Sequence, residues 1–185
     1  MQGHSTTLKR ALHRVEQFLR ATFARVRPAE IAALRTTLTP EQVALFQQMN
    51  RIDQRHSLDV MHTLRRAGHH DRDMLQAALL HDAGKSVVAD LLPPARGPLQ
   101  RLTVWHRTAV VLMQKNTPGW LARLAADGRG WRRPFAIHVY HATTSAELAS
   151  RAGSTPEVVA AIRGHHEPDS NDQRAALLQW ADEQN

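Results

Sequence analysis

Apolar residues in this chain recur at intervals of three and four, and no segment carries a convincing period-two strand pattern. Leu8, Leu12, Val15, Leu19 and Phe23 form one stripe over residues 8 to 26, which Pro28 ends. Thr39-Pro40-Glu41 pairs an N-cap with a proline at the first helical position and an acid in the first turn, so a helix should run to about Met49. Residues 54 to 67 follow, with Leu58, Met61 and Leu64 facing inward and Gly68 as C-cap. Asp71 is expected to cap a helix from Arg72 through Ala83, ended by Gly84. A proline-punctuated connector, Leu91 to Pro98, precedes amphipathic segments at 99 to 115 and 118 to 126 and a turn at Asp127 to Gly130. Pro134 should open a helix reaching about Ala152, closed by Gly153. Ser154-Thr155-Pro156-Glu157 starts another, which stops at Gly164, and Asn171 or Asp172 caps a last helix to about Glu183. The chain has no internal repeat and no low-complexity tract. Its fold class is all-α.

At 185 residues the chain is long enough for one domain with its own core. It has no cysteine, which removes disulfides, thiolate zinc sites, iron–sulfur clusters and cysteine nucleophiles together. A metal would have to sit on His, Asp, Glu or backbone oxygen. No uncharged apolar stretch approaches the roughly 20 residues of a membrane span. Lys9, Arg10, Arg14 and Arg20 interrupt any secretory signal, so a cytoplasmic protein is the expectation.

The formal charge of +7 favours anionic partners such as phosphate-bearing molecules. The excess is concentrated between residues 9 and 35. Two readings fit this basic N-terminal helix: a nucleic-acid or membrane-surface contact, and a solvated helix face. The solvated face is preferred, because neither interleaved aromatics nor a nucleic-acid motif accompany the charge.

Twelve histidines are the compositional outlier. His81-Asp82 closes a strongly apolar run, Ala77-Ala78-Leu79-Leu80, and continues into Ala83-Gly84-Lys85. A His-Asp pair there is costly to bury unless something neutralises it, and a metal ion does so. By itself the dipeptide better fits a helix end whose side chains bond to backbone.

Further segments change the weighting. Ala77 to Lys85 resembles the His-Asp motif of the HD-domain metal-dependent phosphohydrolases, in the variant His-Asp-x-Gly-Lys. Gln54-Arg55-His56-Ser57-Leu58-Asp59-Val60 is similar to the segment of that superfamily's first metal-binding histidine. His141 to Leu148 and Arg163-Gly164-His165-His166-Glu167 resemble the third-histidine and paired-histidine segments of its HD-GYP branch. Leu178-Gln179-Trp180-Ala181-Asp182 is like the closing Ala-Asp. These elements stand in the superfamily's order from about residue 54 to 183.

The resemblance implies a single HD-domain helical bundle at 51–185, with an insert at about 90–132, and an accessory N-terminal basic helical layer at 1–50 packed on it. It also implies one or two divalent ions: Mn, Fe, Mg, Zn, Ni or Co. His56, His81, Asp82 and Asp182 would hold one, and Asp82 would bridge to a second on His141, His165 and His166. Such ions share a hydroxide that attacks a phosphomonoester or phosphodiester, here in a nucleotide-like small molecule. Lys85 would contact phosphate. Departures narrow the match. Glu167 to Asp172 contains no Gly-Tyr-Pro, which argues against cyclic di-GMP hydrolysis, and Ile52 replaces the acid that some members use for a third metal. His138, one turn before His141, reads as a satisfied, partly buried histidine, and Trp105, Trp120 and Trp131 of the insert read as core packing. Two rivals remain open: an HD-fold di-iron oxygenase and a non-catalytic, metal-stabilised binding module.

Overall fold

The computed structural model describes residues 26–86, 118–127, 132–167 and 170–185, and among these every regular element is helical. The helices are α1 (Pro28–Leu34), α2 (Pro40–Gln48), α3 (Arg51–Arg66), α4 (Arg72–Leu80), α5 (Ala83–Ser86), α6 (Pro118–Asp127), α7 (Arg133–Arg151), α8 (Pro156–Gly164) and α9 (Gln173–Glu183). The expected helices at 8–26 and 99–115 lie outside the described residues. No described helix is long and apolar enough to cross a membrane.

Local chemistry sets most boundaries. Thr39 caps α2 by accepting from the Gln42 amide, and the Gln42 side chain returns the bond to the Thr39 amide, which makes a capping box ahead of Pro40. Asp71, Thr155 and Asp172 cap α4, α8 and α9 by accepting first-turn amides, without the reciprocal bond. Helix α3 begins at Arg51, three residues earlier than its apolar stripe suggests, because Asn50 caps it through the Asp53 amide. Gly68 and Gly153 take φ of +88° and +78°. Both end their helices in the left-handed conformation that glycine adopts without a Cβ penalty. In each, the next residue's amide reaches back over the turn: His69 to the Leu64 carbonyl and Ser154 to that of Ala149, both at 3.0 Å.

One boundary departs from expectation. The helix from Arg72 stops at Leu80, His81-Asp82 form a turn, and Gly84 lies inside α5 instead of closing a helix. The reason is tertiary. A Cβ on Gly84 would sit 2.5 Å from the His141 carbonyl and 2.9 Å from the Ser145 amide, so this glycine allows α5 to press against α7.

Helix α4 is at the centre, and every residue from Met74 to Leu80 is buried. A helix apolar on all sides belongs in a core. It packs against α3, α8, α9 and α2, while α7 lies against α5, α6 and α8. Phe46, Leu58, Leu64, Leu79, Leu80, Ile162 and Leu178 fill the space between them. Each such side chain contributes about 1.5–3 kcal/mol by leaving water. Residues 34–49 join the same core through Leu34, Leu38, Val43, Leu45, Phe46 and Met49. A buried polar tie secures them: Gln76 donates to the Thr37 carbonyl at 2.8 Å and Gln42 to Ser154 Oγ at 3.0 Å. Trp120 corrects the expectation of core packing, since it is 54% exposed on α6. Trp105 and Trp131 fall outside the described residues.

Candidate metal centre

Five pieces of chain deliver the polar cluster. His56 comes from α3, His81 and Asp82 from the turn between α4 and α5, His141 from α7, His165 and His166 from the end of α8, and Asp182 from α9. His81 and His165 are the C-caps of α4 and α8. Their Nδ1 atoms meet the carbonyls of Ala78 and Ile162, three residues back, at 2.9 and 2.6 Å. His141 repeats the device inside α7, with Nδ1 2.5 Å from the His138 carbonyl. A carbonyl oxygen only accepts, so each Nδ1 carries a hydrogen, and in the neutral ring it is Nε2 that keeps the lone pair. Helical carbonyls thereby fix both tautomer and ring direction.

The free ends converge. Asp82 Oδ1 lies 3.5 Å from His81 Nε2 and 3.6 Å from His141 Nε2, and Asp82 Oδ2 lies 3.7 Å from His56 Nε2. Asp182 Oδ1 accepts from His56 Nε2 at 2.7 Å and is 3.6 Å from His81 Nε2. His166 Nε2 donates to His141 Nε2 at 3.1 Å. The seven side chains expected from the sequence therefore meet in one place. Among the described residues, three sets of ligand-type atoms lie within 4.8 Å of one another: His56, His81 and Asp82; His81, His165 and Asp182; and His141, His165 and His166. Lys85 Nζ sits 2.7 Å from Asp82 Oδ2. His138 is partly buried and takes part through its carbonyl.

Orphaned atoms test whether a metal fits. His81 Nε2, His165 Nε2 and Asp82 Oδ1 are buried without a hydrogen-bond partner. Buried polar atoms are normally satisfied, and leaving one bare costs on the order of 1–3 kcal/mol. Imidazole lone pairs and carboxylate oxygens that share a pocket are a donor set for divalent cations. The family model of the HD domain matches residues 54–183, which takes in all seven residues and well over half of the chain. The chain belongs to the HD domain family. No curated protein and no solved structure matches it. HD domains usually bind divalent metals, and the donor set of this HD domain suits them.

Electrostatics divide the cluster. Burial lowers His141, with the Lys85 charge adding to it, and holds it well below the usual imidazole value. Burial and the neighbouring His81 and His166 push His165 down to about 3. Desolvation lowers His166 too. His81 goes the other way: burial opposes its charge, but the Asp82 and Asp182 carboxylates prevail and raise it to about 8. Burial disfavours the Asp82 charge, yet His81, Lys85 and His56 keep it well below the carboxylate range. Asp182 is likewise held down against burial, by the hydrogen bond from His56 and the nearby His81. His81, its pKa raised, and the Lys85 ammonium thus offset the two carboxylates.

Sequence reasoning passed over three supports. The carbonyls of Ala78, His138 and Ile162 are backbone atoms, and residue identity does not announce them. Ser145, fully buried, accepts the Gly84 amide at 2.8 Å and so fastens α5 to α7. Asp53, fully buried on α3, accepts from Asn50 Nδ2 at 2.5 Å and from Ser86 Oγ at 2.9 Å. One signal for it existed: Asp53 lies three residues before His56 and hence on the same helical face.

Proposed function

We propose that this HD domain is a metal-dependent phosphohydrolase acting on a phosphomonoester or phosphodiester, in a nucleotide-like small molecule. The observation that carries the reading is the cluster of bare, buried lone-pair atoms on His81, His165 and Asp82, with the Lys85 ammonium at its edge. His56, His81, Asp82 and Asp182 would hold one ion, and His141, His165 and His166 a second, with Asp82 shared between them. When bound, divalent ions supply an activated water and neutralise charge on a phosphoryl group.

The chain's own residues do the rest. Asp82 is 1% exposed, so its charge acts in a medium that screens it poorly. His81, His141 and His165 hold their lone pairs in place through carbonyl partners, so little reorganisation accompanies binding. His56, Asp182 and Lys85 are part-exposed and His166 is exposed, which marks the side from which a substrate arrives. On that side Lys85 offers three donors and a full charge to a phosphoryl oxygen. This cation favours an anionic substrate over dioxygen, and so hydrolysis over di-iron oxygenation.

A phosphate-release screen tests the reading. Protein loaded with Mn, Mg, Fe, Ni, Co or Zn is assayed against aryl phosphate esters and a panel of nucleotides, with oxygen uptake followed in parallel. Phosphate release that vanishes in Asp82→Ala is expected. Oxygen-dependent turnover without phosphate release would replace this reading with the oxygenase, and bound metal with no turnover at all would favour a binding module.

A further inference from the structure

Lys85 is the cation that a metal at Asp82 would dislodge. Its ammonium is bonded to Asp82 Oδ2, one oxygen of the carboxylate that the phosphohydrolase reading shares between two ions. Once ions take up that carboxylate's charge, Lys85 stands among like charges and needs another anion to remain in place. Asp53 supplies one. It belongs to none of the three ligand sets, is fully buried, and lies one turn before His56. Its Oδ2 is locked by Asn50 Nδ2 and by Ser86 Oγ, the side chain next to Lys85 in the chain. Ser86 Oγ also accepts from the Asn50 amide at 3.0 Å, so the end of α5 is tied to the start of α3 through this acid. The bond from Ser86 Oγ holds the Asp53 carboxylate against the residue that follows Lys85 in α5.

We propose that Asp53 is a positioning residue: its buried carboxylate, held by Asn50 and Ser86, keeps the Lys85 ammonium beside the metal centre after metal has claimed Asp82, and so aims Lys85 at a phosphoryl oxygen. Only the last step rests on the phosphohydrolase reading.

Two readouts separate the parts. Lys9, Lys85 and Lys115 are the chain's only lysines, so amine acetylation followed by mass spectrometry reports each one. In Mn-loaded protein, Asp53→Asn should raise Lys85 labelling relative to Lys9 by roughly 10-fold or more, and Ser86→Ala should shift it less in the same direction. Inorganic phosphate binding to the same Mn-loaded proteins should weaken roughly 10- to 100-fold in Asp53→Asn, the range of supporting partners around a metal site. Lys85→Met should match that loss, and the double variant should lose no more. A purely structural Asp53 would lower the unfolding midpoint but leave the labelling ratio and the phosphate affinity unmoved, which overturns the proposal. Additive losses in the double variant overturn it as well. Should Asp53→Asn not fold, Ser86→Ala carries both measurements, and an unchanged Lys85 ratio in it counts against the proposal. If Mn-loaded wild type binds no phosphate, the phosphohydrolase reading falls, while the labelling ratio still decides the role of Asp53.

Discussion

His81, His141 and His165 form a floor to the cluster; His56, His166, Asp182 and Lys85 form its rim. The floor rings are 0–2% exposed and fixed by helical carbonyls, so their Nε2 atoms are aimed before anything binds. The rim groups bond to one another, to Asp82 or, in the case of His166, to His141, through hydrogens that a cation would have to displace. The same residue types therefore do two jobs. The floor provides direction, paid for in desolvation, and the rim provides exchange of protons, metal and substrate. Asp82 is where the two meet, since it lies within 3.7 Å of His56, His81 and His141 and is bonded to Lys85.

That division predicts a graded set of losses. The largest belongs to Asp82→Ala, which should abolish metal binding and activity. It also leaves Lys85 and His81 without their shared anion, so the protein should lose about 3–5 kcal/mol in denaturant unfolding, the scale of a broken buried pair. Next come the floor ligands. His165→Ala should reduce metal affinity by more than roughly 100-fold in isothermal titration, beyond the effect of losing a supporting partner. His166→Ala, on the rim, should lose less. Equal losses at His165 and His166 would erase the distinction between floor and rim.

Gly84→Ala sharpens the comparison without touching a ligand. The added Cβ collides with backbone of α7 and must push α5, with Asp82 before it, away from His141. Overpacking of this kind costs about 1–3 kcal/mol. At about 2–4 °C per kcal/mol for a chain of this size, the unfolding midpoint should fall by several degrees. Metal affinity should fall as well, whereas a simple helix-terminating glycine would not affect it.

Within the floor, pH dependence separates His81 from His165 by sign. His81 has its pKa raised in the fold, so its charge stabilises the metal-free protein fully below the unfolded value of 6.5, and that contribution is lost as pH rises through about 8. His165 is depressed to about 3, so the fold loses stability as pH drops below 6.5 towards that value. Metal uptake needs neutral imidazole. Affinity should therefore rise by about tenfold per pH unit between 6.5 and 8 as the proton on His81 ceases to compete, then level off. The smallest effect is a control far from the cluster. Glu147→Ala breaks an exposed pair with Arg151 on α7 and should cost under about 0.5 kcal/mol, with metal affinity unchanged.

What was legible in the sequence follows from how local its cause is. Caps at Thr39, Asp71, Thr155 and Asp172 are chemistry within four residues, and the helices they open start where the sequence suggests. Gly84 was read as a terminator because glycine ends helices often, whereas here it serves a contact with residues 141 to 145 that adjacent sequence does not reveal. The early start of α3 was missed because Asn50 and Asp53 precede its apolar stripe. Histidines and aspartates in a family-like order pointed to the cluster. The carbonyls that aim them, and the Asp53–Ser86 tie behind Lys85, become visible only when helices distant in sequence are placed side by side.

Elemental analysis of freshly purified wild type and Asp82→Ala, before and after exposure to excess divalent metal and gel filtration, addresses the convergence of lone pairs most directly. One to two equivalents of a transition metal on the wild type and none on the variant is the predicted result. A wild type that stays metal-free under every ion, or a variant that retains the full complement, would contradict it.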